Sequence, residues 1–112
     1  MSYKEFMTFE EFKNVELRVA TILEALPVEN SLKLLKLKIS LGDTERQIVA
    51  GIGHKYKCDF LIGVQIIIVA NLEPKKLMGE LSEGMLLAAH DEENSPILIS
   101  PISKAPDGDK IS

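Results

Sequence analysis

Between positions 35 and 41 the chain reads Leu-Lys-Leu-Lys-Ile-Ser-Leu, and this alternation constrains the fold more than any other feature. Successive side chains of an extended strand point to opposite faces. A period of two therefore puts Leu35, Leu37, Ile39 and Leu41 on one apolar face. Lys36, Lys38 and Ser40 make up a wet, positive face. Gly42-Asp43-Thr44 supplies a turn, and Glu45–Ala50 is expected to run back as the hairpin partner.

Other segments extend the same reading. Residues 15–25 alternate between Val15, Leu17, Val19, Thr21, Leu23 and Glu16, Arg18, Ala20, Ile22, Glu24, until Pro27 and Asn30 break the pattern. Val64–Asn71 is almost wholly apolar and rich in Ile and Val, which suits a central strand covered on both sides. Pro74 ends it, and residues 72–83 read as a loop carrying Lys75 and Lys76. Gly84–Ala89 and Ile97–Ile99 read as further strands on either side of an acidic turn. Helix is scarce. Thr8-Phe9-Glu10-Glu11 fits a capping box that opens a short helix. The spacing of Tyr3, Phe6, Phe9 and Phe12 predicts that this helix packs an aromatic face. One more helical turn is expected before Gly63. The pattern predicts an all-β chain: a five-stranded OB-fold (oligonucleotide/oligosaccharide-binding) barrel, with short helices at the N-terminus and between strands. No repeat or linker divides residues 1–112, so a single domain is expected.

Composition removes several function classes. Hydrophobic residues make up 46% and charged residues 27%, a globular balance. Cys58 is the only cysteine, so no internal disulfide forms, and with His54 and His90 it cannot close a zinc site. No uninterrupted apolar run exceeds Ile66–Ala70 in length, and the N-terminal stretch lacks a signal-peptide core. No membrane contact and a cytoplasmic location are expected. The chain has no nucleophile elbow, zinc-protease motif, phosphate loop or dinucleotide fingerprint. No catalytic residue and no cofactor are assigned.

Charge is unevenly spread. The formal total is −4. Residues 30–79 nevertheless hold twice as many cations as acids, and both flanks are acidic. Local potential governs binding more than the sum does, so a polyanion partner is compatible with this chain. Lys36 and Lys38, with Lys33 before them, suit either a surface tracking phosphates or an outward face that lysines protect against edge aggregation. Aromatics are absent from these basic strands, so binding would rest on shape and backbone and not on stacked bases.

Several stretches together resemble one family. Phe12–Ile22 resembles the opening strand of the tRNA-binding OB-domain family, and Arg46–Ile52 resembles its RQIVSGI strand. Asn71–Gly79 is similar to its NLKPRKLRG loop, and Ser82–Ala89 to its SEGM strand. Val28–Leu35 resembles the VEGSDKLL segment of the methionyl-tRNA synthetase type. The family includes stand-alone tRNA-binding proteins, methionyl-tRNA synthetase β subunits or C-terminal domains, and cytokine-like synthetase cofactors.

The resemblance implies a homodimer that binds tRNA by its structure without catalysis. It would act as a β subunit or trans-acting cofactor of methionyl-tRNA synthetase. Carried over by position, Lys33, Gln47, Asn71, Lys75, Lys76, Ser82 and Met85 are the implied tRNA contacts, and Lys36 joins them from the lysine face. Asn71 and Ser82 are equally suited to shaping the loop as turn and cap residues. Leu32, Ala50, Ala20 and Met78 depart from the family's usual acid, Ser, Gly and basic residue, which implies fewer contacts and weaker affinity. Two other readings remain at this point. One is a secretion-chaperone-like dimer that binds unfolded polypeptide. The other is an interaction module that docks synthetases.

Overall fold

Residues 4–112 are described by a computed structural model, and their pairing follows the alternation. In chain order the elements are α1 (Phe9–Phe12), β1 (Leu17–Pro27), β2 (Leu35–Ser40), β3 (Glu45–Ala50), α2 (Cys58–Leu61) and β4 (Gln65–Val69). Then come β5 (Lys75–Leu77), β6 (Glu80–Ser82), β7 (Met85–Leu86), β8 (Ala88–His90), β9 (Pro96–Leu98) and β10 (Lys110–Ile111). The main sheet runs β3-β2-β1-β4-β7, antiparallel throughout, with β10 on β1. It curls until its two ends meet. Glu83 N–H donates to the Gln47 carbonyl at 2.8 Å, and Val49 N–H donates to Ser82 Oγ at 3.0 Å. The architecture is an OB-like all-β fold.

Leu37 and Ile39 are fully buried, as the alternation predicts, and they meet Ile22, Ile48, Ile66 and Ile68 in the core. Each such side chain contributes about 1.5–3 kcal/mol on burial. α2 supplies Leu61 to this core. Ile66, Ile67, Ile68 and Val69 are all buried, so β4 is covered on both sides.

In β1 the core face is Ala20 and Ile22, the set that carries more charge in sequence. Leu23 is exposed. The register shifts between Ile22 and Glu24, and Ala25 then takes the inward position. A bulge resets the period of two, so a strand with one cannot be assigned a single face from sequence.

Other differences are equally local. α1 forms with both halves of its capping box, Thr8 and Glu11, but it is a single turn that buries nothing. Phe6, Phe9 and Phe12 are exposed, so the expected aromatic packing face is not formed by them, and Tyr3 lies outside the described residues. The segment expected as a loop over residues 72–83 contains the β5–β6 hairpin. Its turn places Met78 and Gly79 at positive φ, +50° and +83°, as two-residue hairpin turns require. The apolar run Gly84–Ala89 is split, because β7 pairs with β4 while β8 pairs with β9.

Asp107 fastens the C-terminal segment to the barrel. Its carboxylate accepts from the Thr21 hydroxyl and from Gln65 Nε2, whose amide also brackets Ala105. The Thr21 hydroxyl, foremost, holds this carboxyl below the usual carboxylate range. Asp107→Ala is expected to cost about 1–2 kcal/mol in urea unfolding near neutral pH. A lowered folded pKa stabilises above the unfolded value, near 3.9, and that contribution is lost as pH falls through the folded value. The stability gap between wild type and Asp107→Ala should therefore shrink below about pH 4.

Candidate functional site

Lys75 and Lys76 are adjacent in sequence but alternate on β5, so they leave opposite faces of the hairpin. Lys75 and Leu77 line a cleft of about 550 Å³ together with Val49, Leu72 and Met85. Lys76 sits across from Leu81. Both lysines are exposed, and neither makes an ion pair among the described residues. Met85, half exposed on β7, also lines a second, smaller cleft of about 400 Å³ with Gly51, Ile52 and Leu87. Lys33 reaches that neighbourhood from the β1–β2 connection. Its carbonyl accepts from Gly53 N–H at 2.7 Å, and its stem would lie 3.8 Å from a Cβ placed on Gly51. Met85 thus lines both clefts, Lys75 lines the first, and Lys33 lies beside Gly51 of the second.

The lysine face of β2 is different. Lys36 Nζ lies 3.3 Å from Glu80, and Lys38 Nζ lies 3.4 Å from Glu45. The hollow there is also lined by Glu24, Arg46 and Glu83. Strand pairing has brought carboxylates to cations far away in sequence, and the expected positive face is close to balanced.

Three of the implied site residues are engaged in holding the scaffold. Ser82 is buried; its hydroxyl accepts from Val49 N–H and donates to the Gly84 carbonyl at 3.0 Å. Gln47 Nε2 donates to the Leu81 carbonyl at 2.8 Å, and its backbone N–H donates to Glu83 Oε1. Together they seat the β5–β6 hairpin against β3. Asn71 Oδ1 accepts from Glu16 N–H at 2.9 Å, and its Nδ2 donates to the Asn14 carbonyl at 2.6 Å. It ties the exit of β4 to the entry of β1. There Arg18 bonds Glu16 and, chiefly through that hydrogen bond, keeps the Glu16 carboxyl below its ordinary value.

Of the departures from the family pattern, Ala50 and Ala20 are buried in the core. Ala50 nevertheless also lines the second cleft, beside Gly51 and Met85. Met78 is exposed at the hairpin tip and Leu32 on the β1–β2 connection. The apolar wall of Leu72, Leu77 and Val49 was not anticipated as a site. The signal for it was the Met78-Gly79 turn, which makes residues 75–82 a hairpin with two faces. Among the described residues no group of His, Cys, Asp and Glu is arranged to hold a metal, and no helix is long and apolar enough to cross a membrane.

Comparison with known proteins bears on the same residues. The family model described as "Putative tRNA binding domain" matches residues 17–110. Methionine–tRNA ligase of Caldanaerobacter subterraneus is 54% identical over 94 residues, covering 84% of this chain and 15% of that protein. The Clostridium perfringens enzyme of the same name is 48% identical over 96 residues, covering 86% and 15%. The chain thus spans about a sixth of the length of these relatives. Among solved structures, the MetRS related protein of Pyrococcus horikoshii superposes with a TM-score of 0.90 at 33% identity, covering 97% of this chain and all of that one. The chaperone CsaA of Bacillus anthracis superposes with a TM-score of 0.88 at 33% identity, covering 96% and 100%.

Proposed function

This chain belongs to the tRNA-binding domain family, and on that premise we propose that it binds folded tRNA through Lys33, Lys75, Lys76 and Met85, without catalysis of its own. The observation carrying this reading is that Lys75 and Lys76, which make no ion pair among the described residues, stand on a hairpin that Gln47 and Ser82 seat against β3. A hairpin already held in place presents its lysines to phosphates without a backbone ordering cost, leaving only the side-chain rotamer cost at the moment of binding. Lys36 contributes only by exchanging Glu80 for a phosphate, and Gln47, Asn71 and Ser82 act by positioning.

The partner is methionyl-tRNA synthetase, for which the protein acts as a non-catalytic β subunit or trans-acting cofactor in the cytoplasm. It raises the concentration of tRNA at that enzyme. The test is competition for the protein between folded tRNA and a single-stranded RNA of equal length. Folded tRNA is expected to win, because the basic strands carry no aromatic stacking platform. Equal competition would refute recognition by shape.

The same reading includes a homodimer, which sets two such surfaces at a fixed spacing. It rests on the family resemblance and on the largely apolar run Gly84–Ala89. Light scattering at micromolar concentration should return about twice the 12.4 kDa chain mass. A monomer at every concentration would remove the paired-surface arrangement.

A second reading, capture of unfolded polypeptide, is favoured by the similarity to chaperone CsaA structures from two organisms. Titration with a presecretory peptide and with tRNA separates the two. Docking to a synthetase through the acidic flanks, with little RNA contact, would show in the same titration as binding of neither.

A further inference from the structure

We propose that the cleft between the β5–β6 hairpin and β7 takes a single unstacked RNA base, with a phosphate of that nucleotide held by Lys75. The inference rests on the tRNA-binding reading and gives it a base-binding subsite. The volume, about 550 Å³, falls within the usual ~300–1,000 Å³ range of small-ligand sites. Its walls are the side chains of Val49, Leu72, Leu77 and Met85. They offer apolar surface to the two faces of a planar ring, and the Met85 thioether adds a favourable sulfur–ring contact.

The polar groups around the cleft decide which flat ligand fits. The Ser82 hydroxyl is already committed to Val49 and Gly84, so it offers a ligand little. Glu73 and Lys75 line the cleft and take part in no ion pair among the described residues. Glu73 supplies a carboxylate acceptor, suited to the exocyclic amine of a base. Lys75 supplies a cation, suited to the phosphate that every nucleotide brings with it. A nucleotide has an apolar ring, an amine-bearing edge and a charged backbone. This set of groups matches all three.

The site also accounts for binding bases without aromatics. In a folded RNA an extruded base is already unpaired, so the protein need not unstack it. Aliphatic walls that would be a poor platform for a continuous single strand suffice for one base presented this way.

The test uses an RNA hairpin with a single bulged 2-aminopurine and the same hairpin with an abasic bulge. The full chain is expected to bind the base-bearing hairpin about tenfold more tightly, and 2-aminopurine fluorescence should change on binding. Leu72→Ala, which strips one apolar wall residue from the cleft, should reduce both the fluorescence change and the difference between the hairpins. Met85→Ala strips a second wall residue and should do the same, so a folding defect in one variant does not decide the outcome. Equal affinity of wild type for the two hairpins, with folded tRNA still bound, overturns the subsite and leaves the tRNA-binding reading standing. Failure to bind any of these RNAs overturns that reading itself. A presecretory peptide that suppresses the 2-aminopurine signal better than RNA does, and itself loses affinity in Leu72→Ala, assigns the cleft to polypeptide and also overturns the proposal.

Discussion

Lys75→Ala/Lys76→Ala lowers affinity for folded tRNA about tenfold at low salt and reduces the slope of log affinity against log salt by roughly one to two units. Each lysine that touches a phosphate releases counterion from the RNA, and losing it flattens the salt dependence. Because the two side chains leave opposite faces of β5, the single variants should differ. Lys75→Ala acts at the cleft, whereas Lys76→Ala acts on the reverse of the hairpin. The loss should be nearly uniform across tRNA species, since phosphates carry no sequence. The fold should persist, because exposed charges contribute no more than ~1 kcal/mol. Lys55→Ala/Lys57→Ala removes the same net charge outside the matched motifs and serves as control. Equal losses in the two double variants would mean general attraction and no special role for the hairpin. An unchanged salt slope would mean that these lysines do not meet the backbone.

Gly108→Ala is expected to cost about 3 kcal/mol and to shift the urea midpoint by roughly 2 M. Gly108 has φ +83°, and a Cβ there would stand 2.1 Å from the Leu41 carbonyl oxygen. That obstacle is backbone and cannot swing aside as a side chain would. Gly108 N–H donates to the Val19 carbonyl at 2.7 Å, and Arg18 Nη1 donates to the Gly108 carbonyl at 3.0 Å. Forcing this residue away therefore loosens β10 from β1 as well. Gly63→Ala separates the two causes. Gly63 has a similar φ, +86°, with nothing within 4 Å of the added Cβ. It should cost only the left-handed strain, roughly 1–2 kcal/mol. If both variants lose the same stability, the contact with Leu41 is not what demands glycine. Hydrogen exchange at the Val19 amide, which donates to the Asp109 carbonyl, reports whether the C-terminal segment has come loose.

The legible parts of the fold were those written in local pattern. Leu35–Leu41 alternates without interruption and became β2 with the expected inner face. Val64–Asn71 was apolar on both sides of the pleat and became β4, covered on both. The capping box at Thr8 and Glu11 formed because each partner lies within one turn of the other. β10 escaped because two residues carry no period, and β5 and β6 because three residues carry almost none. The face of β1 escaped because a bulge reverses the count partway along.

The family resemblance in the motifs around Arg46, Asn71 and Ser82 likewise lies in the sequence, and the family model covering residues 17–110 bears it out. By itself, then, the sequence determined that this chain is an all-β domain of the tRNA-binding family, with its basic residues concentrated in the middle of the chain. Only the tertiary structure decided which of those residues remain available. Lys36 meets Glu80 across 44 positions, and Gln47 meets the Leu81 carbonyl across 34. Asn71 reaches back 57 positions to Asn14. Among the described residues, Lys75, Lys76 and Lys33 find no such carboxylate. A side chain's charge and hydrogen-bonding capacity are properties of the residue. Whether that capacity is spent inside the molecule depends on neighbours that antiparallel pairing brings from remote parts of the chain, and no local pattern encodes them.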